Sequence, residues 1–209
     1  GKIVNIEKIS FEDEKVYELF AKGLTIGVFQ FESSGMREFL KKLKPTVIED
    51  LIAMNALYRP GPMENIDDFI SRKHGEKKIV YSHALLESIL KETYGIIVYQ
   101  EQVMQIAHEV ADFTLAEADI MRRAMGKKQD KVMDELSVKF VEGSGKKGIS
   151  KKKAEEIFLL IKKFAKYGFN KSHSAAYAYI AYQTAWLKTY YPAEFMSANL
   201  SSEIGKMDR

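Results

Sequence analysis

The chain has 209 residues, no cysteine, a net charge of +3, and 46% hydrophobic against 29% charged residues. This composition is typical of a globular protein with one good core or two small ones, and it excludes disulfides and thiolate zinc sites. No stretch approaches the ~20 consecutive apolar residues of a membrane span, so we expect a cytoplasmic chain with no membrane partner.

Helical periodicity dominates the chain. Apolar residues recur at steps of three and four in segments such as 103–110 and 154–165, which predicts helices with one buried stripe. We predict a mainly α, compact multi-helix fold with at most short β pieces near 25–31 and 96–99, either of which could instead be a tight turn. The predicted helices span 13–22, 34–43, 47–57, 65–73, 83–94, 101–112, 115–125, 130–142, 151–166 and 173–190, with a short one after Pro192.

Start and stop signals agree with these helices. Thr46 with Glu49 and Thr114 with Glu117 have the spacing at which a hydroxyl and a carboxylate cap a helix start reciprocally. Glycines follow five periodic segments, where a left-handed residue would end the helix: Gly23, Gly95, Gly126, Gly143 and Gly168. We predict one domain over 1–209, with a possible subdivision at the flexible stretch near 143–150.

The charge is distributed unevenly. Residues 122–171 contain fifteen Lys or Arg and six Asp or Glu, a net of +9, which leaves −6 on the rest of the chain. A short lysine run is usually a solvated helix face. An excess sustained over fifty residues favours a polyanionic partner.

Four cations, Arg122, Arg123, Lys127 and Lys128, surround the predicted end of one helix. Basic residues at this position often only complement the negative end of the helix dipole. One or two would satisfy that role, so four indicate contacts with phosphates.

The segment 166–186 places cationic, amide, imidazole and aromatic groups at a break between two helices. Tyr167, Asn170, Lys171 and His173 combine stacking surfaces with hydrogen-bond donors, which suits a nucleotide base and its phosphates. The amides of the new helix provide a further anion site. The alternative is that His173 is an ordinary first-turn residue and the segment a packed turn.

We find no candidate catalytic or metal-binding residues. The four histidines are scattered, and no phosphate-binding Gly-rich loop of the ATPase type is present. Asp67 and Asp68 are adjacent on a predicted helix and point in different directions, so they do not form a two-metal site.

Six segments, taken in order, resemble the alpha subunits of bacterial replicative DNA polymerase III, the C-family polymerases. They are TIGVFQFESSGM (25–36), ALYRPGP (56–62), YGIIVYQEQVM (94–104), RRAMGKK (122–128), YGFNKSH (167–173) and YYPAEFM (190–196). Together they cover nearly the whole chain. The resemblance implies a helical fingers region that lies over the incoming nucleotide and the template-primer end.

The resemblance implies that the parent protein is a DNA-directed DNA polymerase, a nucleotidyltransferase that adds a dNTP to a primer with Mg²⁺. The family's catalytic aspartates lie in the palm, outside this chain, so we expect the chain alone to be inactive and to need no cofactor. Expected partners are template-primer DNA, dNTP, the palm and other domains of the polymerase, and replisome subunits. Arg59, Gln100 and Gln102 are weaker candidates for DNA or nucleotide contacts.

Two alternatives remain. The chain could be an autonomous, non-sequence-specific helical nucleic-acid-binding module, which the basic segment alone would support. It could also be a structural or interaction domain of a replisome subunit, in which the cations are solvated surface.

Overall fold

The computed structural model describes residues 4–127, 129–164 and 167–204, and over these ranges it confirms the predicted mainly α fold. Short 3-10 turns occupy Ile6–Lys8, Pro62–Asn65 and Lys91–Thr93. The helices are α1 (Glu14–Ala21), α2 (Ser34–Leu43), α3 (Ile48–Leu57), α4 (Ile66–Lys73), α5 (Leu85–Leu90), α6 (Gln100–Ala111), α7 (Leu115–Gly126), α8 (Asp130–Lys146), α9 (Lys151–Phe164), α10 (Lys171–Tyr190) and α11 (Pro192–Glu203).

The chain divides into two compact units. The first contains Gly1–Tyr58 and Ser172–Arg209, and the second contains Arg59–Lys171. The region near 143–150, where we predict a possible subdivision, lies inside the second unit, and α8 runs through its first half to Lys146.

In the first unit, Tyr182 of α10 is completely buried among aromatic side chains. Its ring centroid lies 5.0 Å from that of Phe11 and 5.4 Å from that of Tyr17. Polar contacts join α10 to α3, because the buried Ser174 hydroxyl donates to the Ile52 carbonyl at 2.6 Å. The core of this unit therefore depends on segments from both ends of the chain.

In the second unit, helices α5 to α9 surround one apolar core. Three aromatic rings mark its centre: Phe140 lies 6.1 Å from Phe113 and 5.4 Å from Phe158, measured between centroids. The apolar stripes predicted for α6 and α9 are buried here, including Val103, Ile106, Ala107 and Val110 of α6 and Ala154, Ile157, Phe158 and Ile161 of α9.

One of the two predicted helix caps is confirmed. At the start of α7 the Glu117 amide donates to the Thr114 hydroxyl at 3.3 Å, and the Thr114 amide donates to the Glu117 carboxylate at 3.0 Å. The cap predicted between Thr46 and Glu49 is wrong. The buried Asp50 carboxylate instead accepts from the amides of Thr46 at 2.9 Å and Val47 at 3.4 Å, so α3 begins one residue later than that cap requires.

Two of the five predicted stop glycines are left-handed, namely Gly23 with φ of 63° and Gly95 with φ of 79°. The prediction is wrong for Gly168, which is not left-handed, and for Gly126 and Gly143, which are helical. Gly143 lies inside α8, where the Ala111 carbonyl at the end of α6 occupies the space that a Cβ would need. This glycine allows two helices to approach closely and does not end one.

Of the predicted β pieces, 25–31 is a series of turns, held by a hydrogen bond of 2.6 Å from the buried Thr25 hydroxyl to the Phe31 carbonyl. The second piece ends in an isolated parallel bridge between Tyr99 and Phe169. Among the described helices, none combines the length and apolarity needed to cross a bilayer.

Candidate functional site

The centre of the candidate site is the segment 167–171 of the second unit, here called the 167–171 loop. Its backbone pairs with the chain just before α6: the Phe169 amide donates to the Val98 carbonyl at 3.2 Å, and the Gln100 amide donates to the Phe169 carbonyl at 2.9 Å. The Gln100 side chain adds a hydrogen bond of 3.0 Å to the Gly168 carbonyl. These three bonds fix the loop against the start of α6.

Arg59 holds the loop from another direction. Its guanidinium donates to the Tyr167 carbonyl at 2.9 Å and lies 4.2 Å from the centroid of the Phe169 ring. Partial burial lowers the pKa of Arg59, although a guanidinium stays charged in proteins. Gly61, with φ of 97°, lies directly against the Tyr167 ring, where a Cβ would overlap that ring. The bend at 59–62, which contains Pro60 and Pro62, therefore packs on the loop.

Two carboxylates hold the C-terminal end of the loop. Glu101 accepts from the Asn170 side chain at 3.0 Å and from the Lys171 backbone amide at 2.9 Å. Glu92 accepts from the Lys171 ammonium at 2.7 and 2.8 Å. The anion site that we predicted at the start of α10 is thus filled by an internal carboxylate, Glu101.

The basic end of α7 is connected to the loop through Gln100, whose side-chain oxygen lies 3.5 Å from the Arg122 guanidinium. Arg122 and Arg123 also share one acidic partner, Asp119, at 2.7 and 2.6 Å. The hydrogen bond from Arg122 lowers the pKa of the Asp119 carboxyl. Two of the four predicted phosphate-binding cations are therefore already paired.

The remaining predicted residues have different positions. Lys127 is exposed at the end of α7, and Lys128 lies outside the described residues. His173 belongs to the first unit, where its ring lies 4.2 Å from the Tyr177 ring on the same helix. The structure thus brings Arg59, Gln100, Arg122, Tyr167, Asn170 and Lys171 together within the second unit.

Gln102, a weaker candidate for a DNA or nucleotide contact, is buried in the second unit. It is 2% exposed. Its oxygen accepts from the amides of Val98 at 2.8 Å and Tyr99 at 3.0 Å, and its nitrogen donates to the Thr93 hydroxyl at 2.9 Å and the Ile89 carbonyl at 3.3 Å. The hydrogen-bonding capacity of Gln102 is therefore used inside the protein.

Sequence reasoning missed the acidic partners. Asp119 lies three and four residues before Arg122 and Arg123, a spacing that places such side chains together on a helix. Glu92 carries no such signal, because the fold alone brings it to Lys171.

Among the residues that the structure describes, no group of three or more His, Asp or Glu side chains could hold a metal ion.

Several bacterial proteins resemble this chain over nearly its whole length. A family model described as the bacterial DNA polymerase III alpha subunit finger domain matches residues 1–148. The chain is 52% identical over 209 residues to the DNA polymerase III subunit alpha of Caulobacter vibrioides, covering all of this chain and 18% of that protein. It is 53% identical over 209 residues to the subunit of Neisseria meningitidis serogroup B, again covering all of this chain and 18% of the relative. It is 52% identical over 206 residues to that of Bacillus subtilis, covering 99% of this chain and 18% of the relative.

Proposed function

The chain belongs to the finger-domain family of bacterial DNA polymerase III alpha subunits, and from this premise we propose that it forms the fingers of a replicative DNA polymerase. The parent enzyme would join a dNTP to a primer 3′ end under the direction of a template. The Mg²⁺ of that reaction would be held by palm carboxylates outside this chain. The role proposed for the chain is to bind and position nucleotide and DNA.

One observation carries this proposal. Arg59 donates to the 167–171 loop, Lys171 belongs to the loop, and Arg122 is linked to it through Gln100. Tyr167 and Phe169 contribute aromatic rings to the same loop. Cations beside aromatic side chains suit the phosphates and base of a nucleotide. In our assignment, Tyr167, Asn170 and Lys171 of the second unit contact the nucleotide, and His173 is a further candidate for a nucleotide contact. Arg122, Arg123, Lys127 and Lys128 contact triphosphate or the DNA backbone.

We expect Arg122→Ala and Lys171→Ala to slow single-nucleotide incorporation by the full-length enzyme by about 10-fold or more. The reason is that each removes a charge-assisted contact worth ~1.5–3 kcal/mol. The measurement is rapid-quench incorporation at several dNTP concentrations, with thermal melting of each variant. Lys15→Ala, an exposed lysine of α1, is the control and should incorporate at the wild-type rate. Folded Arg122→Ala and Lys171→Ala enzymes that also retain the wild-type rate would favour the purely structural alternative.

A second prediction concerns DNA binding by the basic segment. Lys131, Lys146 and Lys152 are exposed and form no ion pair within the part of the chain that the structure describes. The logarithm of the binding constant for duplex DNA falls linearly with the logarithm of the salt concentration, and we call the magnitude of this slope the salt slope. Each phosphate neutralised contributes about 0.9 to it. Changing all three lysines to glutamine should therefore reduce that slope by up to about 2.7.

Fluorescence anisotropy of labelled primer-template DNA with the 209-residue chain, over a series of salt concentrations, measures the slope. The matched control changes Lys8, Lys15 and Lys44, three exposed lysines of the first unit, to glutamine. It has the same net charge but should retain more of the wild-type slope. Equal slopes for the two triple variants would mean that the basic segment has no special role.

A further inference from the structure

The two carboxylates around Lys171 hold it in different ways. Glu101 accepts from the backbone amide of Lys171 in the first turn of α10 and from the neighbouring Asn170 side chain. It thereby satisfies a backbone amide that no helical carbonyl reaches, where the helix dipole also favours an anion. Glu92 touches only the side-chain ammonium, at 2.7 and 2.8 Å. Glu101 is part of the helix start, whereas Glu92 neutralises a charge.

A buried hydrogen-bond network holds the turn that carries Glu92. It lies in the 3-10 turn Lys91–Thr93, which ends in two left-handed residues, Tyr94 with φ of 51° and Gly95 with φ of 79°. The buried Thr93 hydroxyl donates to the Ile96 carbonyl at 2.6 Å and accepts from Gln102. The turn therefore places Glu92 beside Lys171.

We propose that Glu92 is a positioning residue that occupies the Lys171 ammonium in place of a nucleotide phosphate and is exchanged for that phosphate on binding. The proposal rests on the function proposed above for Lys171. In the exchange the ammonium keeps its protons, and its hydrogen bonds pass from the Glu92 carboxylate to phosphate oxygens. Until then Glu92 fixes the Lys171 side chain near the Tyr99 ring, whose centroid lies 5.5 Å from the ammonium nitrogen.

The pair can open at small cost. The two side chains are 38% and 33% exposed, and ion pairs of this exposure are screened by water and contribute little to stability. A triphosphate carries more charge and more acceptor oxygens than one carboxylate, so it can replace Glu92. An anion that carries less charge than a triphosphate replaces Glu92 at the Lys171 ammonium less readily. Glu92 therefore disfavours weakly charged anions and makes the site selective for the triphosphate.

The experiment uses the full-length enzyme and measures incorporation rate against dNTP concentration, together with inhibition by pyrophosphate. We expect Glu92→Gln to tighten the apparent Kd for dNTP by about 2- to 5-fold with little change in the maximal rate, as removal of a partly exposed competing charge implies. Pyrophosphate should inhibit this variant more strongly than it inhibits the wild type. Glu92→Ala, which removes the carboxylate without adding an amide, should change the Kd in the same direction and serves if Glu92→Gln folds poorly.

The double variant Glu92→Gln with Lys171→Ala identifies the route of the effect. If Glu92 acts through Lys171, the double variant should match Lys171→Ala alone. An unchanged or weaker dNTP affinity in the folded Glu92 variants, with Lys171→Ala impaired, would overturn this inference and leave the proposed function standing. A wild-type rate and Kd for Lys171→Ala would instead overturn the role proposed for Lys171, and the inference with it.

Discussion

Gly143→Ala is expected to destabilise the second unit by about 3 kcal/mol or more, at the upper end of what overpacking costs. A Cβ at this position would overlap the carbonyl oxygen of Ala111 and lie 2.8 Å from its carbonyl carbon. Both atoms are backbone, so no side chain can rotate away to make room. The α6–α8 contact would have to separate, which exposes part of the core around Phe140.

The same helix provides a matched control, Gly145→Ala. No atom lies within 4 Å of a Cβ built at Gly145, and the residue is exposed. Since alanine is favoured over glycine by ~1 kcal/mol within a helix, this change should leave stability unchanged or raise it. The measurement is thermal and urea denaturation of the two variants beside the wild type. Equal melting temperatures for both variants would show that α6 and α8 do not pack this closely.

Gly143 also illustrates what sequence can predict of this fold. Apolar periodicity locates every long helix, because the residues that form the buried stripe of a helix lie only three or four positions apart in the sequence. Whether a glycine ends a helix or lets another helix approach depends on a partner distant in the chain. For Gly143 that partner is Ala111, and nothing in the surrounding sequence identifies it.

The candidate site, too, could be predicted from the sequence only in part. The residue types at 122–123 and 167–171 predict a cationic, aromatic surface, and the structure does join them through Gln100. Their ion-pair partners were not predicted. Asp119 could have been found from helical spacing, whereas Glu92 lies 79 residues before Lys171 and meets it only through tertiary structure. Charge patterns predict a surface, but they do not predict which charges are already neutralised.

Gln102→Leu is expected to destabilise the second unit, because it removes buried hydrogen bonds beside the candidate site. Leucine is similar in size but cannot hydrogen bond, so the buried amides of Val98 and Tyr99 would lose their acceptor. An unsatisfied buried donor costs ~1–3 kcal/mol, so the total loss should be about 3–5 kcal/mol. Denaturation of the 209-residue chain measures it. The control is Gln105→Leu on the exposed face of α6, which should change stability by less than ~0.5 kcal/mol.

Gln102→Leu should also disturb the proposed nucleotide site. Tyr99 pairs with Phe169, and Thr93 follows Glu92, so losing Gln102 loosens both the 167–171 loop and the turn that carries Glu92. In the full-length enzyme Gln102→Leu should therefore lower both the melting temperature and the rate of nucleotide incorporation, whereas Lys171→Ala should lower the rate alone. If Gln102→Leu reduced incorporation while melting like Gln105→Leu, Gln102 would contact a ligand after all. The buried network would then not be what holds the loop in place.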